Sequence, residues 1–225
     1  MNTLSRGSRG PEVMFLQCLL NKRGAAPRLS EDGIFGPKTE TAVRAFQSAQ
    51  RVTPANGQAG PSTWAKFGMI TERLHPVTLY GQPTNMTCWS AAATMIVGNL
   101  SVGPGGASLG GGGGLQPTIG NVEVFLRGMG WRLINNQSAP PASFLTGALN
   151  RGPLWVVFEG VHLKHAVVFS GYWSDGSENG VVFRVHDPWP PGSGTVYGTT
   201  YHGNTVKLRS VSPPPSAMIA FVGQR

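Results

Sequence analysis

Charge and sulfur are both scarce in this chain. Two cysteines in 225 residues are too few for a disulfide scaffold. Only 12% of residues are charged, and Lys and Arg never gather in a run with interleaved aromatics, so no nucleic-acid partner is expected. No apolar stretch reaches the roughly 20 residues of a membrane helix. Met1-Asn2-Thr3-Leu4-Ser5-Arg6-Gly7 has no apolar signal region. The expectation is a chain made in the cytoplasm without a Sec signal, which needs another export route to act in the periplasm or wall of a target bacterium. No pair of His or Cys ligands has a second pair at usable spacing, so no metal and no cofactor is expected. The glycine-rich stretch Gly103 to Gly114 lacks the preceding strand and the following Lys-Ser/Thr of a phosphate-cradling loop. It reads as a flexible loop beside a cleft, with the makings of a lid.

Glycine and proline, by contrast, are plentiful, with 32 and 18 copies. Basic residues outnumber acidic ones by ten to five in residues 1–74 and by eight to five in residues 75–225. A positive field spread this evenly favours an anionic partner such as cell-wall polymer or a membrane surface. The length allows one large domain or two small ones. A piece of about 70 residues folds marginally, and one of about 150 buries a proper core.

The first 70 residues read as three helices separated by related turns. Ser8 is placed to cap the first helix, and Pro11 suits its first turn. Val13, Leu16, Gln17 and Leu20 follow helical spacing up to the stop at Lys22-Arg23-Gly24. Thr39 to Gln50 carries Ala42, Val43 and Phe46 on one face. The stretch Asn56 to Trp64 repeats the turn at Asp32 to Thr39 in degenerate form. Three segments carry a resemblance: Gly7-Ser8-Arg9-Gly10-Pro11-Glu12-Val13, Asp32-Gly33-Ile34-Phe35-Gly36-Pro37-Lys38-Thr39 and Gly60-Pro61-Ser62-Thr63-Trp64. They resemble the peptidoglycan-binding domain of bacterial cell-wall hydrolases over residues 4–68. Asn56 stands where that family usually has Asp. The resemblance implies a murein ligand, with Asp32, Gly33 and Phe35 as expected contacts.

Residues 71–79, with Pro76 and no helical period, read as a linker. After it, Cys88-Trp89-Ser90-Ala91-Ala92-Ala93-Thr94-Met95-Ile96-Val97 has the composition of a buried helix, with Thr87 or Asn85 placed to cap it. Cys88 would then sit at a helix N-terminus, where the dipole and the orphan N–H groups stabilise a thiolate. Six residues earlier Gln82 offers an amide able to donate to an oxyanion. Cys18, inside an apolar helical run, reads as a core residue. A Cys18–Cys88 bridge would consume the nucleophile.

A thiolate needs a base, and the base needs an orienting partner. His165 opens the strand-like run Ala166-Val167-Val168-Phe169, and the next strand, from Gly180, ends in Asp187. A hairpin between them would make His165 and Asp187 neighbours. His186 and His162 are the alternative bases; His186 would face away from Asp187 across the strand. Further helices are expected at 117–128 and 141–150, and further strands at 154–159, 205–208 and 217–222. Helices first and strands later make an α+β domain.

Gln82, Cys88-Trp89, His165 and Asp187 together resemble the papain-like cysteine peptidases, in compact bacterial form. The resemblance implies a small three-helix domain at 1–70 and a papain-like α+β domain at 80–225, with a helical half and an antiparallel sheet half. It implies catalysis by Cys88, His165 and Asp187, an oxyanion hole at Gln82, and substrate contact at Trp89. Three functional expectations stay open. The first is a cell-wall peptidase or amidase acting as an antibacterial effector or lysin, for which a cognate immunity protein would be a partner. The second is a protease toxin cleaving protein, with the N-terminal domain used for docking or export. The third is a wall-binding module with a dead site.

Overall fold

The computed structural model describes residues 1–98, 100–136, 139–160, 163–202, 205–207 and 216–225. Its fold is α+β. Helices α1 (Pro11–Lys22), α2 (Pro37–Ala49) and α3 (Pro61–Ala65) each start with a proline directly after a glycine. Proline suits that position because a helix start leaves its N–H unpaired in any case. None of the three uses a side-chain cap. Ser8 lies too far ahead of Pro11 to cap α1, and its hydroxyl instead accepts from Ser5 N at 3.1 Å.

The two related turns are built by the same device. Gln17 Oε1 accepts from Gly33 N at 2.9 Å and Gln47 Oε1 accepts from Gly57 N at 2.9 Å. Asp32 Oδ1 takes Ile34 N at 2.8 Å, and Asn56 Oδ1 takes Gln58 N at 2.9 Å. An amide oxygen replaces a carboxylate oxygen here without loss of the turn bond. Gly33 has φ +72°, and a Cβ there would sit 2.8 Å from Gly10 O, so only glycine fits.

The rest of the chain forms strands β1 (Thr71–Leu74), β2 (Arg132–Asn136), β3 (Leu154–Gly160), β4 (Leu163–Ser174), β5 (Val181–Asp187), β6 (Thr195–His202), β7 (Thr205–Lys207) and β8 (Ser216–Gln224), with helices α4 (Cys88–Val97), α5 (Ile119–Gly128) and α6 (Ala142–Leu149). Strands β4, β3, β8, β7, β6 and β5 pair in that order, and β5 returns to β4, so the six close into an antiparallel barrel. Closure removes the exposed sheet edges that invite aggregation. Alternate residues fill its interior, among them Val156, Phe158, Val167, Phe169, Phe183 and Val185. Leu145 and Leu149 of α6 join the same cluster, and α6 sits at the β4–β5 hairpin end, where Glu178 accepts from Ala142 N at 2.9 Å. Helix α4 lies outside the barrel, where Trp89, Ala92 and Ala93 pack with Trp155, Val157, Ala166 and Val168.

Residues 71–79 are not a free tether along their whole length. Thr71–Leu74 pairs with β4 from Thr71↔Ser174 to Leu74↔Gly171. All four residues are exposed, so no alternation betrayed the strand in the sequence. The helical unit also shares one apolar cluster with the barrel: Trp173 and Val182 lie with Met14, Phe15 and Leu19. Lys22 of α1 bonds Asp175 and, at 2.8 Å, Ser177 of the hairpin.

Candidate active site

Cys88 is the first residue of α4 and is half-buried. Neither Thr87 nor Asn85 caps this start with its side chain. Thr87 Oγ1 instead donates to Thr84 O at 3.2 Å and accepts from Thr84 N at 3.1 Å, closing the turn ahead of the helix. The helix is fastened to the barrel at its first turn, where Trp155 Nε1 of β3 donates to Trp89 O at 3.1 Å. Small side chains at Ala91, Ala92 and Ala93 allow that close seat. The result aims the positive end of α4 at the barrel rim.

His165 and Asp187 stand on that rim, at the end opposite α6. Val168 pairs with His186, so by the two-residue period of strands His165 and Asp187 share one face and His186 takes the other. His165 Nε2 lies 2.6 Å from Asp187 Oδ1. Cys88 lines the same cavity as this ring and acts on the titration of His165. With Nε2 engaged by the carboxylate, Nδ1 is the nitrogen left for sulfur. Burial alone pulls the pKa of His165 down, but the hydrogen bonds and charges of Asp187 and Cys88 outweigh it and raise the value from 6.5 to about 10. The imidazole therefore holds its proton at neutral pH.

Asp187 is fully buried. Its Oδ1 also accepts from Trp189 N at 2.9 Å, and its Oδ2 accepts from Tyr197 Oη at 2.9 Å. Tyr197 carried no signal in the sequence, because β6 has no apolar alternation and was not expected as a strand.

Gln82 is tied by its backbone to the segment that follows Asp187. Gln82 N donates to Pro188 O at 2.9 Å, and Gly192 N donates to Gln82 O at 3.0 Å. Its Nε2 donates to Thr84 O at 2.6 Å, and its Oε1 is buried without a partner among the described residues. Gln82 is 1% exposed and lies off the cavity that Cys88 and His165 line.

That cavity has a volume of about 260 Å³, and its walls are largely apolar, with Met86, Trp89, Leu115, Val122, Trp155 and Val157 prominent. Its outer wall is the glycine-rich stretch, expected as a flexible loop. It is fastened at several points. Trp89 Nε1 donates to Gly113 O at 3.0 Å. Asn121 accepts from Ser108 N at 2.6 Å and donates to Ser108 O at 2.9 Å and Gln116 O at 2.8 Å. Trp89, expected as a substrate contact, is 5% exposed and props this wall from beneath.

His186 is buried on the opposite face with Nδ1 unpartnered among the described residues. Burial first, then the Arg184 charge, lowers its pKa to about 4, against a backbone bond to Val77. His162 lies outside the described residues. Cys18 is buried in the helical unit, and burial followed by the nearby Glu31 pushes its thiol pKa well up. In that unit Phe35 is 1% exposed within the core, Gly33 is buried, and Asp32 accepts from Gln17 Nε2 at 2.8 Å. Of these three expected ligand residues only Asp32 is exposed.

Comparison with known proteins bears on the helical unit. Residues 9–67 match the family model described as "Putative peptidoglycan binding domain". A zinc D-Ala-D-Ala carboxypeptidase of Streptomyces albus G is 46% identical over 71 residues, 31% of this chain and 28% of that protein. An uncharacterised protein of Kitasatospora aureofaciens is 44% identical over 64 residues, 28% of this chain and 53% of that one. Among solved structures, the Burkholderia AP3 phage endolysin is 45% identical over 30% of this chain and 25% of its own, with a TM-score of 0.28. The chain thus spans between about a quarter and a half of the length of the curated relatives it matches.

Proposed function

We propose that this protein is a papain-like cysteine hydrolase directed to the bacterial cell wall, cutting a peptide or amide bond of peptidoglycan with Cys88 as nucleophile. The observation that carries the proposal is the position of His165, bonded to Asp187 and lining the same cavity as Cys88. The match of residues 9–67 to a peptidoglycan-binding family supports the wall as the place of action.

In the proposed reaction the Cys88 proton resides on His165, leaving a thiolate at the start of α4. The thiolate attacks the scissile carbonyl carbon and the C=O electron pair moves to oxygen. N–H groups at the helix start hold the oxyanion. Collapse expels the amine, which takes its proton from His165. Water then attacks the thioester, giving one proton to His165, and collapse frees the acid and restores the thiolate beside the imidazolium. Asp187 holds the ring in one tautomer throughout.

A second reading is a protease acting on proteins as an antibacterial toxin, with the helical unit used for docking. The apolar cavity favours it, because a bulky uncharged side chain fits those walls better than the charged parts of a murein peptide. Under either reading a delivered toxin would have a cognate immunity protein as partner. The test is mass spectrometry of purified peptidoglycan after incubation with the wild type and with Cys88→Ala. New muropeptides made only by the wild type support the wall reading and identify the bond. Unchanged peptidoglycan, with Cys88 reactive toward a thiol alkylator, moves the substrate to protein. A Cys88 no more reactive than Cys18 removes the enzyme altogether.

A further inference from the structure

We propose that Tyr197 is a positioning residue for the Cys88–His165 couple: its phenol clamps the second oxygen of Asp187 so that the first stays aimed at the imidazole. This rests on the hydrolase reading above and adds a fourth side chain to it.

A carboxylate with no solvent exposure must find donors inside the protein, because each unpaired lone pair in a low-dielectric interior is costly. The donors to Asp187 are divided between its oxygens. Oδ1 faces His165 Nε2 at 2.6 Å and Trp189 N at 2.9 Å, and Oδ2 faces Tyr197 Oη at 2.9 Å. Donors on one oxygen restrain rotation about the Cβ–Cγ bond less than donors on both. The phenol on the other oxygen fixes the plane.

The sheet brings Tyr197 to this place. Asp187 pairs with Thr195 and Val185 pairs with Tyr197 across β5 and β6. Tyr197 is therefore the diagonal neighbour of Asp187 on the inner face of the barrel, within the reach of a long side chain. It is 6% exposed, with its ring in the barrel core. Packing fixes the ring and the ring fixes the hydroxyl, so the clamp is preorganised before any substrate arrives.

If the clamp acts this way, its loss leaves Asp187 with fewer donors. The carboxylate is then held less firmly against the imidazole and is a weaker partner for the imidazolium that the proposed ion pair with Cys88 requires. The strand supplies an internal control. Tyr201, four residues on and on the same face, donates its hydroxyl to Pro140 O at 2.6 Å, far from the couple. Removing either hydroxyl leaves one buried acceptor short, but only one of them touches Asp187.

The experiment measures the alkylation rate of Cys88 in the full chain against pH, with iodoacetamide as probe and peptide mass spectrometry as readout. It is run on the wild type, Tyr197→Phe and Tyr201→Phe, with thermal unfolding recorded for each. The expected result is an acid limb that moves up by about one pH unit in Tyr197→Phe, and a Tyr201→Phe profile that overlays the wild type even if its melting temperature falls as far. An unmoved or lowered limb in Tyr197→Phe overturns the proposal, as does an equal shift in Tyr201→Phe. Should wild-type Cys88 itself show no reactivity below the range of an ordinary thiol, about 8.5, the hydrolase reading fails and takes this inference with it.

Discussion

Gly198 of β6 lies against Pro11 of α1, so closely that a Cβ at 198 would stand 2.9 Å from Pro11 Cα and 3.1 Å from Met14 Sδ. The helical unit is therefore seated on the outer wall of the barrel and not merely strung beside it. A Gly198→Val substitution should wedge the seat apart and destabilise the chain by about 1–3 kcal/mol. Urea unfolding followed by tryptophan fluorescence would read this, since Trp64 and Trp173 both belong to the shared cluster. An unchanged midpoint would mean that the two units are not coupled in solution.

The two thiols should differ sharply in reactivity. Cys88 lines the cavity beside His165, whereas Cys18 is 8% exposed with its ionisation opposed by burial and Glu31. Native alkylation at pH 7 is expected to modify Cys88 at least about 100-fold faster than Cys18, in keeping with thiolate control of the rate. Equal rates, measured by peptide mass spectrometry, would contradict the proposed ion pair.

Removing the acid should disable the couple. Asp187→Asn takes away the charge that helps raise the pKa of His165 to about 10. Activity against the substrate identified by muropeptide or peptide analysis should fall roughly 10²–10⁴-fold, the span of positioned acid–base catalysis. A variant within twofold of wild type would take Asp187 out of the mechanism.

Stability should peak near pH 6.5 as far as two histidines govern it. His165 has a folded pKa raised from 6.5 to about 10. Its proton is held more tightly when folded, so its contribution is complete below 6.5 and fades as pH rises toward 10. His186 has a folded pKa lowered from 6.5 to about 4. Its contribution is complete above 6.5 and fades as pH falls toward 4. Each slope is bounded by about 1.4 kcal/mol per pH unit. Urea midpoints from pH 4 to 10 should show both flanks. His186→Phe should flatten the acid flank only, and Asp187→Asn the alkaline flank; flanks that survive both changes belong to other groups.

Asn121 ties Ser108 to Gln116 by three hydrogen bonds and so closes the base of the glycine-rich wall. Asn121→Ala should loosen that wall without touching Cys88. The expected outcome is KM raised by about three- to tenfold with kcat changed less, as when binding common to ground and transition states is lost. Amide exchange in residues 108–116 should quicken in parallel; a kcat-only effect would argue that the wall shapes the reacting geometry instead.

Most local features were legible in the sequence because they depend on near neighbours. Gly10-Pro11 marks a helix start through the missing N–H and the fixed φ of proline, whereas α2 begins at Pro37, two residues ahead of the Thr39 expected. The β-branched and aromatic runs from Ala166 and from Val181 declared two strands, and the turn between them declared the hairpin that joins His165 to Asp187. Strands β1, β2 and β6 were not visible. Thr71–Leu74 is exposed throughout, and β6 carries Gly198 and threonines where an apolar alternation would be needed. What makes these segments strands is a partner far along the chain, Ser174 for Thr71 and Asp187 for Thr195.

The sequence by itself therefore determined the turns, the placement of Cys88 at a helix start, and a family likeness over residues 4–68, of which residues 9–67 match a family model. Only the tertiary structure decided that the barrel closes between β4 and β5, that Tyr197 grips Asp187, that Gln82 lies off the cavity, and that α1 rests on Gly198. The division has one physical cause. Backbone preference and periodicity act over a few residues and are written in local sequence, whereas register, closure and packing are settled by contacts between segments that only the folded chain brings together.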